Sequence, residues 1–163
     1  MSMVNIHASC IMLGDAAKAF AAPPDAGILI LGESGKGKSD LVLRLLERGA
    51  KLVSDDRTEL FLKDGALHAR APKPLAGLLE VRGLGIVALP HAAEARVALA
   101  VESVEPGYVP RMPQPERYPP PPELGVAADA CPPLIWLAPL EPSAPAKVAL
   151  AAAAFANALF RDQ

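Results

Sequence analysis

Eight consecutive residues, Gly32-Glu33-Ser34-Gly35-Lys36-Gly37-Lys38-Ser39, have the spacing G-x-x-x-x-G-K-[ST] of a phosphate-binding loop. Glycines there let the backbone curl until successive amide N–H groups point inward, and the N-terminus of a following helix adds its positive end to the cradle. In such a loop Lys38 reaches the β- and γ-phosphates of a nucleotide, and the Ser39 hydroxyl ligates Mg²⁺. The bland alternative is a glycine turn with an exposed lysine. A second feature follows at Asp55-Asp56, where a P-loop protein holds its magnesium-side carboxylate. Adjacent side chains on an extended backbone point to opposite faces, so the two acids are expected to differ in role. One holds metal or orders the site and the other accepts a proton from an attacking hydroxyl. A solvated acidic turn is the alternative.

The elements around these residues fit that chemistry. Gly27-Ile28-Leu29-Ile30-Leu31 is a short apolar run ended by glycine, the pattern of a strand buried on both faces. After the loop, Leu41, Val42, Leu45 and Leu46 recur at helical spacing until Gly49 offers a left-handed stop. Lys51-Leu52-Val53-Ser54 reads as a core strand running into Asp55. Residues 58–71 read as a hairpin about Lys63-Asp64-Gly65. Arg96 to Glu102 and Leu134 to Leu137 are further strands. The prolines between 106 and 122 exclude helix and inner strand, leaving an extended surface loop. In the tail from Ala144 to Arg161, Val148, Leu150, Phe155, Leu159 and Phe160 predict a helix packed on the sheet. The fold class expected is α/β, a mixed sheet with flanking helices, over residues 1–163 as one P-loop domain.

Composition removes several classes of function. Sixteen Lys and Arg against eighteen Asp and Glu give a net charge of −2, without the basic excess that phosphate neutralisation on nucleic acid needs. No window reaches roughly 18 apolar residues free of charge, and Met1 to Cys10 has no signal-peptide pattern, so no membrane association is expected and a cytoplasmic location is. Cys10 and Cys131 have no metal-ligand spacing and read as two reduced thiols. His7, on Asn5-Ile6-His7-Ala8-Ser9-Cys10, reads as an ordinary surface or edge-strand histidine. In Glu80-Val81-Arg82-Gly83-Leu84-Gly85 an acid and a base stand two apart on a strand, before two glycines that demand close backbone approach or positive φ. An ion pair before a turn is the alternative.

Three blocks together, Gly32 to Ser39, Arg48-Gly49-Ala50-Lys51-Leu52-Val53-Ser54-Asp55-Asp56-Arg57 and Leu79-Glu80-Val81-Arg82-Gly83-Leu84-Gly85-Ile86, resemble the catalytic domain of bacterial HPr kinase/phosphorylase. They occur in that family's order and spacing. The chain is similar to the short alphaproteobacterial form, without the separate N-terminal domain. The resemblance implies a P-loop core akin to that of phosphoenolpyruvate carboxykinase, and ATP- and Mg²⁺-dependent phosphorylation of a serine of HPr, the phosphocarrier of the phosphotransferase system. Full-length members of that family are hexamers, which makes a homo-oligomer one expectation, but the missing N-terminal domain and the shortened tail leave the oligomeric state open.

Carried over by position, the resemblance makes Lys38 the P-loop lysine, Ser39 and Glu80 magnesium ligands, and Asp56 the group that accepts the serine proton. Asp55 supports it. His7 becomes a catalytic histidine, which replaces the bland reading above; Arg82 lies in the stretch shaping the active site, and Arg111 matches a downstream catalytic arginine. Three departures stand out. Extra residues around Ala16 to Pro24 are expected to lengthen a surface hairpin, and the segment after Ile86 is short. Pro139-Leu140-Glu141-Pro142-Ser143-Ala144 replaces a basic loop tied to dephosphorylation, which predicts weak or absent phosphorolysis. A nucleotide-binding signalling module without phosphotransfer and a small-molecule kinase are the alternative functions.

Overall fold

The computed structural model describes residues 2–161. The chain runs β1 (Met3–His7), β2 (Ser9–Met12), a 3₁₀ segment (Gly14–Phe20), β3 (Gly27–Leu31), α1 (Lys38–Glu47), β4 (Lys51–Ser54), β5 (Arg57–Lys63), β6 (Ala66–Arg70), β7 (Leu78–Val81), β8 (Gly85–Ala88), β9 (Ala95–Ser103), β10 (Leu134–Leu137) and α2 (Ala144–Asn157). The main sheet has the order β1-β5-β6-β9-β3-β2-β4, with β10 also on β9, while β7 and β8 form a separate hairpin. β3 and β10 each pair with β9 in parallel, and the other strand pairings among the described residues are antiparallel. The fold class is the mixed α/β arrangement expected.

β9 holds the sheet together because it is long enough to serve two neighbours on one edge. Its start pairs with β6 through Ala95 and Arg96, its end pairs with β10 through Ala100 to Ser103, and β3 runs along its other edge. The sheet forks there into two packed regions. Ile28, Ile30, Leu99 and Val101 point to a core completed by Leu41, Val42 and Leu45 of α1 and Val148 and Ala153 of α2. Leu29, Val97 and Ala100 point to the opposite core, closed by Leu60, Leu67 and Ala69 of the antiparallel arm and by Leu124. The period-two alternation thus buries both faces of β3, as its apolar run predicts. The helices cover one face only, and the curled arm covers the other.

Local signals read from the sequence are met at both turns that needed them. Asp64 and Gly65 take φ of 52° and 77°, the paired positive values of a type I′ hairpin turn. Gly49 takes φ of 102° after α1, its N–H bonded to Leu46 O, and a Cβ there would lie 2.6 Å from the Asp15 Cβ. Residues 106–122 form a largely exposed, largely extended loop with a short 3₁₀ turn at Pro106–Tyr108 and another beginning at Pro122, and half-buried Tyr118 packs against the core on the side of the antiparallel arm.

Two expectations need correction. The extra residues around Ala16 to Pro24 do not simply lengthen a surface hairpin: they include the 3₁₀ segment, whose Ala16 and Ala17 are buried in the helix-side core, as is Ala22. In α2 the large apolar residues do not form the packed face. Leu150 and Phe155 are exposed, Leu159 and Phe160 lie beyond the helix end, and Ala144, Val148, Ala149, Ala152 and Ala153 pack inward. Small side chains let α2 approach the equally small surface of the 3₁₀ segment, which decides the face against the bulkier set.

No described helix is long and apolar enough to cross a membrane. Both cysteines are free. Cys10 is fully buried on β2, and burial pushes its thiol up to about 12, whereas Cys131 lies half-buried before β10. Only a thiolate reacts readily. A thiol titration of the native protein near pH 8 is therefore expected to label Cys131 alone, with Cys10 reacting after denaturation.

Candidate active site

β3 ends at Leu31 and the chain turns through Gly32, Gly35 and Gly37, with φ of 132°, 79° and 96°, before α1 begins at Lys38. Side chains with a Cβ rarely adopt these values, so the glycines are what allow the loop to curl. Glu33, Ser34, Gly35 and Lys36 form its exposed rim, and Lys36 reaches Glu105 at 3.4 Å. Lys38 is buried and folds back across the loop, donating from Nζ to Gly32 O at 2.7 Å and Glu33 O at 3.0 Å. Burial holds its ammonium below the usual 10.5, and the charges of Asp56, Asp55 and Glu102 oppose that shift.

Asp55 stands where β4 ends and binds three other elements. Its Oδ1 accepts from Ser9 Oγ on β2 and from Ser39 Oγ on α1, each at 3.2 Å, and its Oδ2 accepts from the Glu80 N–H on β7 at 3.3 Å. Asp56 follows in the left-handed region, φ 65°, and its own N–H donates to Ser9 Oγ at 3.1 Å. The backbone at Asp56 is therefore not extended, contrary to the premise of the sequence argument. A corner, rather than strand alternation, separates the two side chains. Such strain persists only where the surroundings impose it. Here a buried pair does so: Ser54 Oγ and Thr58 Oγ1 lie 2.6 Å apart, and Thr58 donates to Ala8 O at 2.7 Å.

β1 pairs His7 with Arg57, just past that corner. His7 Nδ1 lies 3.4 Å from Asp56 Oδ1, and its Nε2 lies 3.0 Å from Ser34 Oγ and 3.5 Å from Lys38 Nζ. An ammonium can only donate, so Nε2 is the acceptor and the neutral ring carries its proton on Nδ1, facing Asp56. One histidine thus joins the phosphate loop to the exposed acid, a placement that an edge-strand position alone does not foretell.

The β7–β8 hairpin supplies the remaining wall. Glu80 ends with an exposed side chain near Asp55, and Arg82 lies at the tip. A Cβ on Gly83 or Gly85 would meet nothing, yet both have positive φ, 92° and 106°, so these glycines serve the turn and not a close approach. Ser39, Asp56, Glu80, Arg82, Leu43 and Leu140 line a cleft of about 590 Å³ along the phosphate loop. Arg111 is not brought to it: it sits exposed in the proline-rich loop and does not line this cleft.

The residues present suit magnesium. Asp55 and Ser39 offer only hard oxygen donors, already in contact, and Glu80 stands on the neighbouring strand. No cluster of three or more His, Cys, Asp or Glu able to hold a metal occurs among the described residues.

Sequence reasoning missed two residues. Ser9 bridges Asp55 and the Asp56 backbone, and nothing in its local sequence marks it. Glu102 sits opposite Leu31 where parallel β3 and β9 end. Burial raises its carboxyl while Lys38 draws it back down. An acid at the C-terminal end of a strand beside a P-loop strand is a signal that a topology, once drawn, would have exposed.

Residues 24–96 match the family model described as the HPr Serine kinase C-terminal domain. A Clostridium beijerinckii protein named HPr kinase/phosphorylase is 56% identical over 61 residues, 37% of this chain and 20% of the relative. The namesake from Clostridium tetani is 50% identical over 64 residues, 39% and 21% respectively. The aligned region therefore spans about a fifth of those relatives' length. A solved Hpr(Ser) kinase/phosphatase from Coxiella burnetii superposes with a TM-score of 0.73 at 21% identity, covering 96% of this chain and 99% of that one. Sequence over residues 24–96 thus supports the HPr serine kinase C-terminal domain family, and nearly the whole chain shares the fold of a solved HPr(Ser) kinase/phosphatase.

Proposed function

We propose that this chain is an ATP- and Mg²⁺-dependent protein kinase that phosphorylates a serine of HPr. The observation that carries this reading is the contact of His7 with Asp56, Ser34 and Lys38: Asp56 is an exposed carboxylate beside the phosphate loop, which supports the role of proton acceptor. A module that only binds nucleotide needs no such pair. The names of the relatives supply the substrate.

A serine hydroxyl is a poor nucleophile at neutral pH, and a carboxylate in hydrogen-bond reach takes its proton as the phosphoryl group transfers. Asp56 is exposed at the cleft and fits that task, with the His7 Nδ1–H orienting its carboxylate. Lys38 leaves the Gly32 and Glu33 carbonyls to meet the β- and γ-phosphates, and Arg82 faces the charge that spreads over the transferred group. Magnesium, held through Ser39 and Asp55 with Glu80 beside them, supplies further charge neutralisation when bound.

The reverse reaction, attack of inorganic phosphate on phosphoserine, is proposed to be weak or absent. Pro139 and Leu140 lie against the loop glycine Gly37 and Glu141 follows them, so this segment brings no cation of its own. The nearby Arg44 is taken up by Asp40 and by the Pro139 and Glu141 carbonyls.

Incubation with Mg²⁺, γ-labelled ATP and HPr is expected to label one HPr serine. Asp56→Asn should lower the rate by about 10²- to 10⁴-fold with nucleotide affinity kept, and Lys38→Met should abolish labelling. Excess inorganic phosphate should leave the labelled product intact. Tight ATP binding without label on HPr would sink the kinase reading.

The lysine makes a separate prediction. Below its pKa Lys38 is cationic and attracts phosphate; above it that attraction is lost. Because burial sets this pKa below 10.5, the affinity of the free protein for inorganic tripolyphosphate should begin to fall below pH 10.5. In Lys38→Arg, where the cation persists, that alkaline loss should be absent. Calorimetric titration across pH 7–10 checks it.

A further inference from the structure

The kinase reading accounts for the phosphate-loop end of the cleft and leaves its apolar end without a task. Two exposed leucines line that end, Leu43 on α1 and Leu140 on the loop after β10, 41% and 66% exposed. Leu43 lies four residues after Ser39, one helical turn further along the same face. Leu140 lies directly on the phosphate loop: a Cβ on Gly37 would come within 2.9 Å of its Cγ and Cδ2. Both side chains therefore flank the first turn of α1.

Leu140 is held there by α1 itself. Arg44 donates through Nη1 to Glu141 O at 3.1 Å and through Nη2 to Pro139 O, the carbonyls on either side of Leu140. Its Nε is fixed by Asp40 Oδ2 at 2.8 Å. An arginine fork that grips two carbonyls and an i,i+4 acid holds a short loop in one pose. A leucine displayed this way gains nothing from water.

Given the kinase reading, we propose that Leu43 and Leu140 form the slot for the nucleoside of the phosphoryl donor, with Arg44 as the residue that positions the slot. The transferred end of the donor must lie by Lys38 and Asp56. The polyphosphate follows the loop amides onto the first turn of α1, and what comes next meets the two leucines. Apolar side chains on two sides suit a base, and Asp40, the charged group at that end of the cleft, is taken up by Arg44. Removal of the base, as in a bare polyphosphate, costs the ligand these contacts alone.

The test compares a non-hydrolysable ATP analogue with inorganic tripolyphosphate, both with Mg²⁺, by calorimetry on the whole chain. Wild type is expected to bind the ATP analogue more tightly. Leu140→Ser and Leu43→Ser should each weaken the analogue about tenfold, or about 1.4 kcal/mol, while tripolyphosphate affinity stays within about twofold. Arg44→Ala should narrow the gap between the two ligands in the same way without lowering the affinity for tripolyphosphate, a selectivity that mere loss of fold does not produce. Equal affinities in wild type, or equal weakening of both ligands in the two serine variants, would overturn the slot. Neither HPr nor phosphoryl transfer enters this measurement. A preserved gap in wild type, lost in the variants, therefore supports the slot even if HPr is never labelled.

Discussion

A carboxylate can accept about four hydrogen bonds, and three of those at Asp55 are taken by three different elements. Ser9 brings β2, Ser39 brings the start of α1, and the Glu80 N–H brings the β7–β8 hairpin. β2 already pairs with both β3 and β4, and α1 follows the phosphate loop directly, but the hairpin belongs to a separate sheet and no strand pairing holds it to the main one. Hydrogen bonds to an ionised acceptor contribute about 1.5–3 kcal/mol each. The larger consequence is geometric: with one oxygen fixed from two sides and the other from a third, Asp55 cannot rotate, and the corner at Asp56 inherits that rigidity. The position of the exposed acid is thereby set by its neighbour.

Around this point the sheet supplies two different kinds of support. Parallel β3 and β9 end together beside the phosphate loop, so their C-terminal ends open onto the ligand side as in other α/β sheets. The antiparallel arm comes from the far edge and delivers His7 by register, since β1 pairs residue for residue with β5. The histidine is thus placed by a strand that does not pair with the P-loop strand. Buried hydroxyls at Ser54 and Thr58 tie the arm back to the corner, so the two parts of the site share one set of hydrogen bonds.

Local chemistry was legible in the sequence wherever a residue type forced a backbone shape. The glycines of the phosphate loop, Gly49 after α1 and the Asp64-Gly65 turn each announce a positive φ, and each has one. Alternating burial of both faces of β3 was legible for the same reason, because a continuous apolar run admits few other places. What could not be read was long-range. The approach of His7 to Asp56 depends on β1 crossing to β5, and neither Ser9 nor Glu102 carries a local mark of its role. The alanine face of α2 escaped because periodicity favours large residues, while close packing against Ala16 and Ala17 favours small ones. The expected extended Asp55-Asp56 pair failed where tertiary hydrogen bonds overrode the strand.

The two neighbours that share one edge of β9 bear on how the chain is made. β3, which carries the phosphate loop, has β2 beside it early, but its parallel partner lies far downstream at Ala95–Ser103. At synthesis rates of roughly 5–20 residues per second, the nascent chain holds an apolar strand with one bare edge for several seconds. The antiparallel arm emerges within that interval and can zip up by itself through its type I′ turn. Its junction to the rest must still wait for the same β9. Arrival of one strand thus closes both halves at once, and a ribosome stalled before residue 95 would present an open edge that invites pairing with another chain.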